Sequence, residues 1–357
     1  MNQTLRMPAE WEPHTATWIA WPHRRSDWPG RFSAIRWAYA EIVRHLHQSE
    51  TVYIEVQDAA HRDQARRLLH RYGVDLTRVR FLRIPTNRSW TRDHGPIFVR
   101  DQSGQLHITD WRFNAWAKYP DWELDDAVPA RIARWLGLPH HQPHVRGQRV
   151  VLEGGSIDVN GAGLLLTTEE CLLSEVQARN PGLSREDMQV VFRQYLGVEK
   201  VLWLGRGIAG DDTHGHIDDL ARFVGPRTIV LAVENNPQDE NYQPTQENRE
   251  RFQHLTDQAG QRLEVVELPM PQPVVYAKQR LPASYANFYI ANDRVLVPTF
   301  NDPADRHALG ILAELFPDRL VVGINCTDLV WGLGTLHCLT QQQPVPLNQH
   351  LDHSASE

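Results

Sequence analysis

Between residues 149 and 206 the apolar positions change period twice. RVVLEGGSIDVNG and AGLLLTTEECLL read as two strands around a tight turn at Asn160-Gly161. SREDMQVVFRQYLG carries a helical period, and KVLWLG returns to a strand. Ser184 with Asp187 three positions on gives the helix an N-cap and an acid in its first turn. The same order recurs. After Gly215, HIDDLARFVGPRTIVLAV predicts two strands around Gly225-Pro226, TQENRERFQHLTDQAG a helix, and RLEVVEL a closing strand. From Ser284 the run is YANFYIAN, RVLVPTF, the helix ADRHALGILAELFP and RLVVGIN. From Trp90 it is GPIFVRD, QLHITDWRF and a helix in DDAVPARIARWLG, with a less clear ending. The N-terminal stretch offers TATWIAWP, the helix RFSAIRWAYAEIVRHLHQ and the strand TVYIEVQ, an incomplete fifth copy.

Asp93, Glu153, His216 and Asn287 hold equivalent first-strand positions, at intervals of 60, 63 and 71 residues. A strand-strand-helix-strand unit cannot bury both its sheet and its helix alone, so several copies around an axis are the natural solution. The pattern predicts an α/β fold, a pseudo-symmetric five-bladed propeller of ββαβ units with first-strand side chains converging at the centre. An ordinary doubly wound sheet also alternates strands and helices, but the paired strands ahead of each helix argue against it. Length alone suggests roughly two or three domains. No Gly/Ser/Pro-rich linker divides the chain, so the reading is one domain over 1–347 and a polar tail over 348–357.

Composition changes this picture only by exclusion. The 357 residues are 41% hydrophobic and 23% charged, ordinary for a globular protein. The net charge of -7 gives no support for nucleic-acid or anionic-membrane binding, which need basic fields. No apolar run approaches the ~20 residues that span a bilayer, and the first residues have no apolar core resembling a signal peptide. Three cysteines, an odd count, argue against a disulfide framework and for a reducing cytoplasm.

Reactive residues collect at the same point of several units: RSWTRDHGP at 88–96, LEGGSID at 152–158, DDTHGHIDD at 211–219 and WGLGTLHCLTQQQ at 331–343. In a strand, His214, His216 and Asp218 share a face, where a carboxylate beside a histidine could bind a cation and move a proton. Cys338 follows a loop whose Gly332 and Gly334 permit close approach of backbone to a ligand. A thiol there could act as a nucleophile if a nearby imidazolium or a cationic substrate lowered its pKa. Cys171 and Cys326 read instead as small packed hydrophobes. The plainer readings stand beside these: Arg92 and Asp93 as a structural ion pair, Gly154-Gly155 as a bend, Trp90 and Trp331 as packing, and Asp211, Asp212 and Asp219 as a solvated charge run. HxHxD at 214–218 resembles the HxHxDH ligand set of metallo-β-lactamase-type hydrolases, but position 219 is aspartate and the motif lies in the fourth unit.

Taken together and in order, MPAEWEPHTATWIAWP, SWTRDHGPIFV, DWRFNAW, LEGGSIDVNG, LTTEECLLS, RNPGLSRED, GDDTHGHIDD, LPASYANFYIAN and LHCLTQQQP resemble the agmatine deiminase and bacterial peptidylarginine deiminase family of the guanidine-modifying (pentein) superfamily. The resemblance covers nearly the whole chain. It implies a five-bladed α/β-propeller with a central site, and a hydrolase acting on linear amidines. It makes Cys338 the nucleophile, His216 the general acid/base, and Asp93 and Asp218 the guanidinium-binding carboxylates. Trp90 matches the aromatic before the first aspartate, Asp212 an acid near the substrate, and Glu153 lies in the family's EGG motif.

The expected reaction converts agmatine to N-carbamoylputrescine and ammonia through a covalent cysteine intermediate, a step towards putrescine and polyamines. The resemblance implies no metal, no organic cofactor, a small guanidine as partner and a homodimer. His214 stands where agmatine deiminases usually carry asparagine, and Asp219, Ala221 and Arg222 also depart from their pattern. This leaves free, methylated or peptidyl arginine open as the substrate. A metal-dependent hydrolase using His214, His216 and Asp218 is the distant alternative.

Overall fold

The computed structural model describes residues 4–347; the polar tail read from 348 onward lies outside them. Within this range the chain forms five sheets of three or four strands and two two-stranded ribbons, a mixed α/β fold. One pairing rule recurs in all five sheets: the first strand runs antiparallel to the second, and the second parallel to the third. The sets are Ile97–Arg100, Leu106–Thr109 and His140–His141; Asp158–Val159, Leu164–Thr168 and Lys200–Leu204; Ala221–Phe223, Thr228–Val233 and Glu264–Pro269; and Tyr289–Ile290, Arg294–Thr299 and Leu320–Asn325. The fifth set joins the two ends of the described chain, because Gln341–Pro344 runs antiparallel to His14–Ala20, which is parallel to Thr51–Val56. The copy that looks incomplete in sequence thus takes its first strand from the C-terminal side. Its sheet carries an extra strand, Val79–Arg83, reached through a helix, Ala59–Arg71, that the sequence reading does not anticipate.

The middle strands are continuous apolar runs because both of their faces are covered; Leu164–Thr168 is buried at every position. Helix Arg185–Leu196 shows how the flanking layer is built. Ser184 Oγ accepts from Asp187 N–H while Asp187 Oδ2 accepts from Ser184 N–H at 2.9 Å, the expected cap, and Gly197 ends the helix at φ +70°. Met188, Val191, Phe192 and Leu196 form its inward stripe against Val159, Leu165 and Val201, each burial stabilising by about 1.5–3 kcal/mol. No helix among the described residues is long and apolar enough to cross a membrane.

The first strands are shorter than the sequence pattern predicts. Asp93, Glu153, His216 and Asn287 do not lie in them; each sits two to five residues ahead, in a short helix or irregular segment, and Cys338 holds the same place before Gln341–Pro344. Five units therefore each contribute one polar or reactive residue from one kind of position.

Candidate active site

Cys338 lies in the short helix Leu336–Leu339 and is 6% exposed. Its Sγ accepts from Asn287 Nδ2 at 3.1 Å and stands 3.7 Å from Asp218 Oδ2. Asn287 Oδ1 accepts from Thr335 Oγ1 at 2.7 Å and from His337 N–H at 3.0 Å, so one amide fixes both the sulfur and the loop before it. Burial, reinforced by Asp218, Asp219 and Asp93, pushes the Cys338 thiol well above its ordinary range.

Asp93 belongs to the short helix Thr91–His94. Its Oδ1 accepts from Gly155 N–H at 3.1 Å and its Oδ2 from Trp116 Nε1–H at 2.9 Å. Burial raises its pKa to about 7; His216 opposes that rise, while Asp218 and Glu153 add to it. His216 Nδ1 lies 3.8 Å from Asp93 Oδ1 and 4.0 Å from Asp218 Oδ1, and its Nε2 lies 3.7 Å from Glu153 Oε2. Burial alone would lower the imidazole, but Asp93, Cys171 and Glu153 hold it well above its usual pKa. Asp218 stays low despite burial because His337, His216 and Arg222 surround it. A Cβ on Gly155 would stand 2.6 Å from His216 Nδ1 and 2.7 Å from Asp93 Oδ1, so this glycine is required by close approach rather than by a bend alone.

A cavity of about 350 Å³ opens onto this cluster, lined by Trp90, Asp93, Trp116, Tyr119, Asp212 and Cys338 among others. His216 and Asp218 lie behind that wall, at 1% and 0% exposure. Trp90 packs on Trp28 with centroids 5.3 Å apart while lining the cavity. Asp212 accepts from Tyr119 Oη–H at 2.7 Å and pairs with Lys118, so it is already neutralised. Two arginines, Arg24 and Arg88, also reach the wall, and both are engaged by Asp121.

Asp93, His216, Asp218 and Cys338 are thus brought together, but His214 is not. Residues 211–216 form turns rather than a strand, and His214 at φ +64° and Gly215 at φ +94° break the expected alternation. The His214 ring instead bonds Ser174 Oγ at 3.2 Å and faces Glu170. The HxHxD ligand set is therefore not assembled. Glu153 does not reach the cavity either; it pairs with Arg179 Nε at 3.1 Å and faces the back of His216. Despite burial, Arg179 and His216 pull the Glu153 carboxyl down to about 2.

Cys171 packs in an apolar cluster, as read from sequence, and it also borders the site: ligand atoms of Glu153, Cys171 and His216 all lie within 4.8 Å of one another. These three could hold a soft cation, although the Arg179 guanidinium beside them opposes a positive ion. Their geometry supports His216 from behind. Cys326 is buried and packed, as read from sequence.

The sequence reading uses Asn287 only as a spacing mark and does not weigh His337 or Glu10; it takes Asp219 as part of a solvated charge run, whereas this side chain is buried at 3% exposure. Asp219 accepts from Asn287 Nδ2 at 3.0 Å, and burial with Asp218 and Asp211 nearby pushes its carboxyl well up. The signal for His337 was its place beside Cys338.

A buried thiol, an imidazole and paired carboxylates gathered behind a small cavity in a repeated α/β frame define a class of thiol-dependent catalytic site. The chain belongs to the Porphyromonas-type peptidyl-arginine deiminase family, whose model matches residues 6–344. It is 38% identical to an agmatine deiminase of Stutzerimonas stutzeri over 95% of each chain, and 36% identical to one of Ectopseudomonas mendocina over 96% of each. Among solved structures, the agmatine deiminase of Enterococcus faecalis superposes with a TM-score of 0.87 at 34% identity, covering 96% of both chains.

Proposed function

We propose that this chain is an agmatine deiminase, converting agmatine to N-carbamoylputrescine and ammonia. The observation that carries the reading is the thiol of Cys338 set between Asp93 and Asp218, with His216 directly behind. A guanidinium is planar and cationic, so two carboxylates can accept its N–H groups and present its carbon to sulfur. Entry of that cation offsets the acids around Cys338, and the thiol gives its proton to solvent. The thiolate attacks the guanidinium carbon. As the tetrahedral adduct collapses, the C–N bond breaks and His216 protonates the departing ammonia, leaving a thiouronium on sulfur. Neutral His216 then takes a proton from water, the hydroxide adds to the same carbon, and the C–S bond breaks to release the ureido product.

Asp212 is the proposed partner for the far ammonium of agmatine, displacing Lys118. Free arginine would need a cavity guanidinium available for its carboxylate, and the occupation of Arg24 and Arg88 by Asp121 favours agmatine. Trp90 would wall the guanidinium, and Glu153 would orient His216. The same reading carries one catalytic domain over 1–347, its five sheets set as blades around the site, as the repeated pairing rule supports. It also carries a homodimer from the resemblance and a cytoplasmic setting from three unpaired cysteines.

The test is to incubate the protein with agmatine, free arginine and an arginyl peptide, measuring ammonia and ureido product. Agmatine should be consumed fastest, and Cys338→Ala should abolish turnover. Activity that survives Cys338→Ala but is lost to a chelator would overturn the mechanism.

A further inference from the structure

Glu10, His337 and Asp218 stand in a line that ends beside the nucleophile candidate. His337 is 1% exposed, and both of its ring nitrogens face carboxylates: Nδ1 lies 2.7 Å from Asp218 Oδ2, and Nε2 lies 2.8 Å from Glu10 Oε2. An ionised carboxylate can only accept, so the ring must donate at both ends. Glu10 is also met by Arg222 Nη2 at 2.9 Å and Arg92 Nη2 at 3.3 Å, and its Oε1 accepts from Ile290 N–H at 2.8 Å. Burial pushes the Glu10 carboxyl up, but Arg222, His337 and Arg92 together hold it well below its ordinary range. Among the described residues, further charged or titratable groups facing this line are His216 and Cys338 towards Asp218 and Tyr289 towards Glu10, with Asp219 and Asp158 close by.

The line also divides the two oxygens of Asp218. Oδ2 is committed to His337, whereas Oδ1 is buried with no hydrogen-bond partner and stands 4.0 Å from His216 Nδ1. An orphaned buried carboxylate oxygen is costly unless something comes to use it. The His337 backbone is pinned as well, by its N–H on Asn287 Oδ1.

We propose that His337 is a positioning residue, held as an imidazolium between Glu10 and Asp218, which keeps Asp218 ionised and turned so that Oδ1 is left for a guanidinium N–H. The assignment rests on the reading of Asp218 as a substrate carboxylate. Because the other anchor is Glu10, the N-terminal segment becomes part of the site's electrostatics rather than a mere flank.

The experiment combines two readouts on the full chain. With ¹⁵N-histidine, the signal lost in His337→Gln identifies His337; both of its ring nitrogens should carry protons, and Glu10→Gln should leave one of them bare. In agmatine turnover, His337→Leu should raise KM by tenfold or more with a smaller fall in kcat. His337→Gln, which keeps one donor, should recover part of the lost affinity. Circular dichroism and thermal unfolding confirm which variants fold. A His337 ring with one bare nitrogen, or a folded His337→Leu with an unchanged KM, overturns the proposal. If no guanidine is consumed by the unmodified chain, the deiminase reading fails, and the nitrogen signals still decide the charge of His337.

Discussion

The side-chain amide of Asn287 donates to the sulfur of Cys338 at 3.1 Å. A donor aimed at sulfur favours the thiolate, which the surrounding acids otherwise oppose. Asn287→Ala should slow both iodoacetamide labelling of Cys338 and agmatine turnover by about 10–100-fold, the worth of one hydrogen bond to a charged group. Alkylation rates measured across pH check this, and labelling as fast as in the unmodified chain would refute it.

Asp93, raised to about 7, should set the acid limb of kcat/KM, because a protonated carboxyl cannot accept a guanidinium N–H. Below pH 7 kcat/KM should fall about tenfold per unit, with KM carrying the change and kcat varying less. The stability sign is opposite. Unfolded aspartate ionises near 3.9, so the folded chain holds an extra proton between about pH 4 and 7. That contribution is complete below pH 4 and lost as pH rises to 7. Asp93→Asn should remove the limb while lowering activity by about a hundredfold or more, as steady-state kinetics from pH 5 to 9 would reveal.

Gly155→Ala places a methyl group where His216 Nδ1 and Asp93 Oδ1 already stand. Both groups would have to move, and a shift of about 1 Å costs on the order of 100-fold in rate. A fall in kcat/KM of that size is expected, with a measurable loss in melting temperature. Full activity in the variant would show that these two side chains are not held as tightly as their packing indicates.

Glu55 offers a prediction about stability alone. It is buried with both carboxyl oxygens lacking partners, and burial, with Asp125 adding to it, raises its pKa to about 8. The folded chain keeps this proton up to pH 8, whereas an unfolded glutamate loses it near 4.3. Its stabilising contribution is therefore present below pH 4 and lost as pH rises to 8, by up to about 1.4 kcal/mol per unit. Glu55→Gln should melt near the unmodified chain at pH 5 and clearly above it at pH 9. Parallel melting curves at both pH values would decide the matter.

The repeat was legible because central strands and amphipathic helices impose different apolar periods, and each copy shows both. The short turns before the first strands were not, since Gly154-Gly155 and His214-Gly215 read equally well as strand interruptions until a close approach demands them. Cys338, His216, Asp93 and Asp218 stood out through the family's motifs, and the structure gathers them. Asn287, His337 and Glu10 could not be weighed from spacing, because their partners lie 51, 119 and 327 positions away. Cys171 was legible as a packed residue, but its position behind His216 depends on two sheets meeting. Helix Ala59–Arg71 was missed because its stretch is charge-rich and buries only Ala65 and Leu69.

The pairing of Gln341–Pro344 with His14–Ala20 sets a schedule for biosynthesis. A chain emerging from the ribosome can build its middle sheets early, each from neighbouring segments. The segment carrying Cys338 has no seat until strand Gln341–Pro344 emerges and docks on His14–Ala20, one of the first made. A nascent chain stalled before that strand would be a folded scaffold without its chemistry.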